Sequence, residues 1–316
     1  MLKNRYVNWT LKLSSALLSF ILIWCGIQPF FVPKYLDDSA ASVEGYSYMK
    51  NNSIDVLFLG ASQMFCTVDA GKLTDEYGFR SYDYGASLQS LCITPYYLQE
   101  ALKTQSPKLV MVEVCSIVDS ETEIDEKTLS INYSPMNMSC DKFQSIMKLQ
   151  NGGISKAFQY TFAPLTLYHY RWRNMTIFDV DFVFEPEQYI DLSQRGFLAR
   201  DHIEKCKVLY YTGDSSLKTI PTENVKSILE LSDLCKRQNI NIVFFKAPVP
   251  NWTKGDSLSV KQLMKEQNLE FVDLNDYLEE IGINENVDFY NKEHLNIYGA
   301  EKTTDYLAKI LPQYIH

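Results

Sequence analysis

Between Lys12 and Lys34 the chain carries no charged side chain, and that gap constrains everything after it. The 21 residues from Leu13 through Pro33 are mostly Leu, Ile, Phe, Val and Trp, close to the ~20 apolar residues that cross a hydrocarbon core as a helix. Lys3, Arg5 and Lys12 precede the run and no acid does, which favours a cytoplasmic N-terminus with the rest of the chain outside. A cleaved signal peptide ending near Ala41 is the alternative, but its apolar core is ordinarily only ~7–15 residues long. A buried helix of a soluble domain is the third reading, opposed by the flanking lysines. The chain therefore divides into a short basic N-terminus (1–12), an anchor (13–33), a linker (34–50) and one large domain (51–316).

That domain alternates strands with helices. Asp55-Val-Leu-Phe-Leu-Gly-Ala-Ser62 reads as a strand buried on both faces that stops at Gly60 and turns into a helix near Ser62. Further strands are expected at 79–84, 108–114, 240–246 and 270–272. Helices are expected at 95–104, 224–237, 260–267 and 296–310. This rhythm predicts a parallel sheet covered on both faces, an α/β/α sandwich. Residues 119–223 break the rhythm, and a structureless loop of that length is implausible, so a mostly helical cap is expected there.

After Lys12 the chain holds 27 basic and 39 acidic residues, an excess of 12 acids that argues against nucleic acid and against polyanions held by charge. Seven cysteines show neither a CxxC pair nor metal-ligand spacing, and no glycine-rich phosphate loop or His-Glu-x-x-His occurs. No metal, cofactor or disulfide framework is read from these patterns.

In open α/β sheets ligands bind at the carboxyl edge of the strands, and backbone N–H groups at a following helix start can hold an oxyanion. Ser62 stands at such an edge, either as a nucleophile or as an ordinary helix cap. A nucleophilic serine needs a base. Of the four histidines, 169, 202, 294 and 316, His294 has the most suggestive setting: Asp288-Phe-Tyr-Asn-Lys-Glu-His294-Leu-Asn-Ile-Tyr-Gly-Ala, just before the final helix.

Gly60-Ala61-Ser62 early and Asn291-Lys292-Glu293-His294 late resemble the first and last blocks of the SGNH/GDSL hydrolase superfamily, Gly-Asp-Ser and Asp-x-x-His, each altered at one position. The resemblance spans most of residues 50–312. It implies a flavodoxin-like sheet, with Ser62 as nucleophile and His294 as base. Asp288 is slightly favoured as the support of His294, by curling back; Asn291, at the family's aspartate position, is the second candidate. The backbone N–H groups of Ser62 and of Gly85, which occupies the second-block glycine, are the implied oxyanion donors. The family's Gly-x-Asn-Asp block has no match: Glu113-Val-Cys115-Ser116 stands there. Leu167-Tyr-His-Tyr-Arg-Trp-Arg-Asn-Met-Thr176 is similar to a run in membrane-anchored SGNH-like proteins associated with membrane-bound O-acyltransferases. Arg171 and Trp172 could then line an acceptor groove, or simply pack the cap.

These resemblances lead to an expected serine esterase or O-acyltransferase acting on a cell-surface polysaccharide at the membrane, with a glycan or its acyl ester as substrate and a multi-pass membrane O-acyltransferase as partner. The alternative is a catalytically degenerate domain that binds glycan or scaffolds that partner. Ala61, Asn291 and the missing asparagine block all fit it.

Overall fold

The computed structural model describes residues 2–34, 39–118 and 124–315. Parts of the expected linker and the start of the expected cap, 35–38 and 119–123, lie outside the described residues, as does His316. The first helix, α1, runs Leu2–Phe31. Its segment Asn8–Phe31 is long and apolar enough to cross a membrane, at ~36 Å for a rise of ~1.5 Å per residue. Leu13, Leu17, Phe20 and Ile23 are all exposed on it, so the domain leaves this stretch of the helix uncovered. It begins further upstream and ends slightly earlier than the uncharged run suggests, because Pro33 cannot continue it.

The remaining elements follow in order. α2 (Ala40–Tyr46) leads to β1 (Val56–Gly60), α3 (Ser62–Phe65), α4 (Ala70–Asp75), β2 (Ser81–Gly85), α5 (Thr94–Ala101) and β3 (Leu109–Glu113). The insertion holds α6 (Glu126–Tyr133), α7 (Cys140–Lys148), α8 (Ile154–Phe162), α9 (Pro164–Tyr168) and α10 (Ile177–Phe184). The sheet resumes with α11 (Thr222–Arg237), β4 (Asn241–Lys246), α12 (Lys254–Glu266), β5 (Phe271–Asp273) and α13 (Leu278–Ile281). A two-stranded ribbon, β6 (Phe289–Asn291) and β7 (His294–Leu295), precedes α14 (Ile297–Ile310).

Five strands pair in parallel in the order β2-β1-β3-β4-β5. Side chains alternate across this sheet as its pleat requires. Leu57, Leu59, Val110, Val112 and Phe244 face a core shared with α5, α11 and α12, while Val56, Phe58, Met111, Val243 and Phe245 face one shared with α3, α4 and α14. Continuous apolar strands are what burial on both faces demands.

Two parts depart from the sequence reading. The linker is no free tether: on α2, Ser42 Oγ donates to the Asp83 carbonyl at 2.6 Å and Tyr46 stacks on Tyr84 at 4.0 Å, which joins the segment to the core. The insertion is helical only up to Phe184, apart from two short 3-10 turns. Residues 197–221 then return as an extended strap, held by backbone bonds from Leu198 to Phe65, Glu204 to Phe289 and Leu209 to Pro250. Such inter-element bonds carry no local sequence period, so the strap is invisible to pattern reading.

Candidate active site

β1 and α3 meet in a turn that only glycine accommodates. Gly60 has φ +151°, and a Cβ there would lie 3.0 Å from that of Glu113 and 3.1 Å from that of Met64. Immediately afterwards Ala61 takes the helix N-cap position without a capping side chain, and Ser62 becomes the first helical residue. Ser62 is therefore not the helix cap. Its hydroxyl is left for another partner, and its N–H, in the first turn, has no intrahelical acceptor. Met64 and Phe65, fully buried, lock α3 in place.

His294 arrives from the opposite end of the chain on a hairpin that the sequence did not announce as strands. Phe289 and Leu295, both at zero exposure, nail the β6–β7 ribbon into the core, and an irregular register at Tyr290 leaves Asn291 opposite His294. Asn296 caps α14 through the N–H groups of Tyr298 (3.1 Å) and Gly299 (3.2 Å) while its own amide donates to the Val287 carbonyl at 2.7 Å. These bonds fix the ring's approach.

The result is a relay. Ser62 Oγ lies 2.8 Å from His294 Nε2, and His294 Nδ1 lies 3.0 Å from Asn291 Oδ1. Asn291 Oδ1 also accepts the Glu293 N–H at 2.8 Å, which decides which way the amide points. An oxygen facing Nδ1 requires the proton on Nδ1, so Nε2 offers its lone pair to the Ser62 hydroxyl. Burial, then the cations Arg200 and Lys246, push the imidazole pKa down to about 4, which keeps the ring neutral near pH 7.

Asp288 does not support the histidine. Its buried carboxylate accepts the Asn284 N–H at 2.7 Å and pairs with Lys302 Nζ at 2.6 Å, while its carbonyl accepts the Asn296 N–H at 3.0 Å. The aspartate ties the loop to α14 instead of curling towards the ring. Gly85 also plays another part. Its N–H faces Ser42 Oγ at 3.4 Å, and a Cβ would sit 2.0 Å from the Gly60 carbonyl, so the glycine permits close strand approach and its N–H points at α2. Of the two expected oxyanion donors, the Gly85 N–H is thus directed to α2, while the Ser62 N–H stands in the first turn of α3.

Arg171 and Trp172 likewise lie elsewhere. Arg171 Nη1 donates to the carbonyl of Phe31, the last residue of α1, at 3.0 Å, and its other nitrogen pairs with Asp179 at 2.5 Å. A guanidinium at a helix C-terminus satisfies an orphan carbonyl and complements the dipole. Trp172 is 63% exposed beside it.

What sequence reading missed is an ion pair under the nucleophile. Lys246 Nζ, 1% exposed, meets Glu113 Oε1 at 2.7 Å and also donates to the Gln63 side-chain oxygen, next to Ser62. The ammonium lies 5.2 Å from the Trp252 ring centroid, and Trp252 Nε1 donates to Asp273 at 3.0 Å. One signal was present: Glu113 and Lys246 each follow a run of four apolar residues at the carboxyl end of their strand, the edge where ligands bind. Arg200, on the strap, lies 5.4 Å from the Tyr290 ring and gave no signal. Among the described residues, no group of His, Cys, Asp or Glu side chains converges to hold a metal ion.

In comparisons with known proteins, no family model and no curated protein matches this sequence.

Proposed function

We propose that the chain is a membrane-anchored serine acyl-transfer enzyme of the SGNH type. The observation that carries this reading is the Ser62–His294–Asn291 relay, with 2.8 and 3.0 Å contacts in the tautomer that base catalysis needs. The parallel order β2-β1-β3-β4-β5 supports it, since this is the flavodoxin-like doubly wound order, whose ligands bind at the carboxyl edge. Lys3, Arg5 and Lys12, in the first turns of α1 ahead of its uncharged run, support a cytoplasmic N-terminus and an extracytoplasmic domain.

In this reaction Ser62 Oγ attacks an acyl carbonyl as His294 Nε2 takes its proton. The tetrahedral oxyanion receives the Ser62 N–H, and the leaving group departs with the proton from Nε2. The acyl-Ser62 ester then reacts with an acceptor hydroxyl, activated by the same nitrogen. A glycan hydroxyl as acceptor gives O-acyl transfer; water gives ester hydrolysis. The anchor, which keeps the site near the bilayer, favours a cell-surface polysaccharide as acceptor and a multi-pass membrane O-acyltransferase as source of the acyl group.

The test uses the full chain in a mild detergent with p-nitrophenyl acetate, beside its Ser62→Ala variant. Serine-dependent product release with an acetyl adduct on Ser62 is the expected result. Equal background from both proteins, with no adduct, refutes the nucleophile and leaves a glycan-binding or scaffold domain, the reading that Asn291 in place of a carboxylate favours.

A further inference from the structure

At the C-terminal end of α1 the cap borders an open cavity of about 360 Å³ that is separate from Ser62 and His294. Cys25, Gln28, Lys34, Glu44, Lys142 and Thr161 are among its walls. Among the described residues its polar chemistry is mostly donors. Lys142, 3% exposed, uses one N–H on the Met136 carbonyl at 2.9 Å, and an ammonium has two more. Lys34, 8% exposed, donates to the Pro29 carbonyl at 2.6 Å. Gln28 Oε1 accepts the Leu165 N–H at 2.7 Å, but its Nε2 is buried without a partner, as is Thr161 Oγ1. Orphaned buried donors are costly, and two of them on residues that share this wall with two buried lysines mark a place for a guest rich in acceptors. Among the described residues the one carboxylate on the wall, Glu44, is pushed towards its neutral form by burial, although Lys34 opposes that. Burial likewise lowers Lys142 to about 7, partly opposed by Glu100, and an anion in the cavity would reverse that shift.

The cavity's position says where the guest comes from. The cap grips α1 over its last two turns: Trp24 Nε1 donates to the Phe162 carbonyl at 3.1 Å, Arg171 holds the Phe31 carbonyl, and Phe30 meets Phe184 at 5.9 Å. Beside this junction Tyr170, Trp172, Ile177 and Phe184 stand 59–72% exposed. Aromatic and apolar side chains next to the end of a membrane helix belong in the headgroup layer. Cys25 to Phe31 spans the last ~9 Å of that helix, the end that a ~30 Å hydrocarbon core leaves at the headgroup layer.

From these observations we propose that the cavity binds the phosphodiester headgroup of an anionic phospholipid of the outer leaflet, with its acyl chains along α1. The phosphate oxygens accept from Lys142, Lys34, Gln28 Nε2 and Thr161 Oγ1, while the cap's exposed aromatic face rests on the bilayer. The inference is independent of the serine chemistry. It rests on α1 being a membrane anchor.

Full-length protein in a neutral detergent is titrated with dioctanoyl-phosphatidylglycerol, dioctanoyl-phosphatidylcholine and inorganic phosphate, reading the thermal midpoint and lipid retention by native mass spectrometry. Phosphatidylglycerol is expected to raise the midpoint with concentration and to stay bound, phosphatidylcholine to bind at least tenfold more weakly, and millimolar phosphate to do nothing. Lys142→Met should weaken phosphatidylglycerol at least tenfold. Thr161→Val, nearly the same shape, should weaken it several-fold even if the lysine variant does not fold. Equal lipid response from wild type and Thr161→Val overturns the site, and protection by inorganic phosphate alone overturns the lipid source. Flotation of the full chain with phosphatidylcholine vesicles reads the anchor separately, so its failure cannot be mistaken for failure of the cavity.

Discussion

Replacing Asn291 by aspartate tests the relay at its weakest joint. Asn291 Oδ1 orients the ring at 3.0 Å but brings no negative charge to stabilise an imidazolium. A carboxylate of the same shape would keep the bonds from Nδ1 and from the Glu293 N–H and add that charge. At a charge separation of ~4 Å and an effective dielectric of ~20 the attraction is about 4 kcal/mol, or about 3 pKa units. Desolvating a new carboxylate at this half-buried position removes part of that, leaving a net rise of about 2 units. The His294 midpoint should therefore move from about 4 to about 6 in Asn291→Asp. Side-chain NMR of ring-labelled histidine in the full chain reads this directly, with His294→Gln to assign the signal among the four histidines. The acid limb of the acylation rate should move by the same amount. A base stronger by about 2 units should react about tenfold faster near neutrality at a Brønsted slope near one half. A midpoint that stays in place or falls refutes the reasoning, because it means position 291 does not face the ring.

Three further outcomes follow from the same geometry. Because His294 in the folded chain protonates below the ordinary 6.5, the unfolded chain takes up the proton first; stability is whole above pH 6.5 and falls by at most about 3 kcal/mol as the pH drops towards about 4. Denaturant melts across that window should show the loss, and His294→Gln should flatten it; an unchanged slope in the variant assigns the acid sensitivity elsewhere. Lys246→Met leaves Glu113 buried and unpaired and should cost about 3–5 kcal/mol, whereas Lys246→Met with Glu113→Leu should recover most of it; a double variant as unstable as the single one overturns the pairing argument. Arg171→Met should raise limited proteolysis within 154–184 several-fold while the Ser62 acylation rate stays within about twofold, since the guanidinium binds the end of α1 and not the relay; unaltered proteolysis removes Arg171 from the cap–helix junction.

What could be read in the sequence was whatever has a local period or a local exception to one. The central strands β1, β3 and β4 announced themselves as apolar runs because both faces are buried, whereas β2 reads Ser-Tyr-Asp-Tyr-Gly; each of the five lies within a few residues of its expected place. Ser62 was legible because a turn glycine and a helix start flank it, and His294 because it precedes the capping Asn296 of α14. The supports of these residues were not. Asp288 and Asn291 both stand before His294, and the choice between them depends on Lys302 drawing the aspartate towards α14, a contact across 14 residues that no spacing rule reveals. Gly85 reads as a turn glycine, yet its constraint is the Gly60 carbonyl on the neighbouring strand. Arg171 lies 140 residues from the carbonyl it holds.

The altered positions also explain one another. With an amide behind the ring, and Arg200 and Lys246 in its field, nothing near His294 favours the imidazolium; the base is weak but remains neutral into mild acid. A second anion beside the ring would oppose those cations, but Glu113 is already held by Lys246, which the Gln63 side chain also engages. Gln63 is thereby anchored from below, and Ser62, one residue earlier at the start of α3, is set against Nε2. The Glu293 N–H fixes the Asn291 amide in the one orientation that puts the proton on Nδ1. The amide costs the histidine basicity and preserves its direction, so removing that direction with Asn291→Leu should lower the acylation rate well below wild type, and adding charge with Asn291→Asp should raise it. An Asn291→Leu variant as active as wild type would show that the ring is aimed by the β6–β7 ribbon alone.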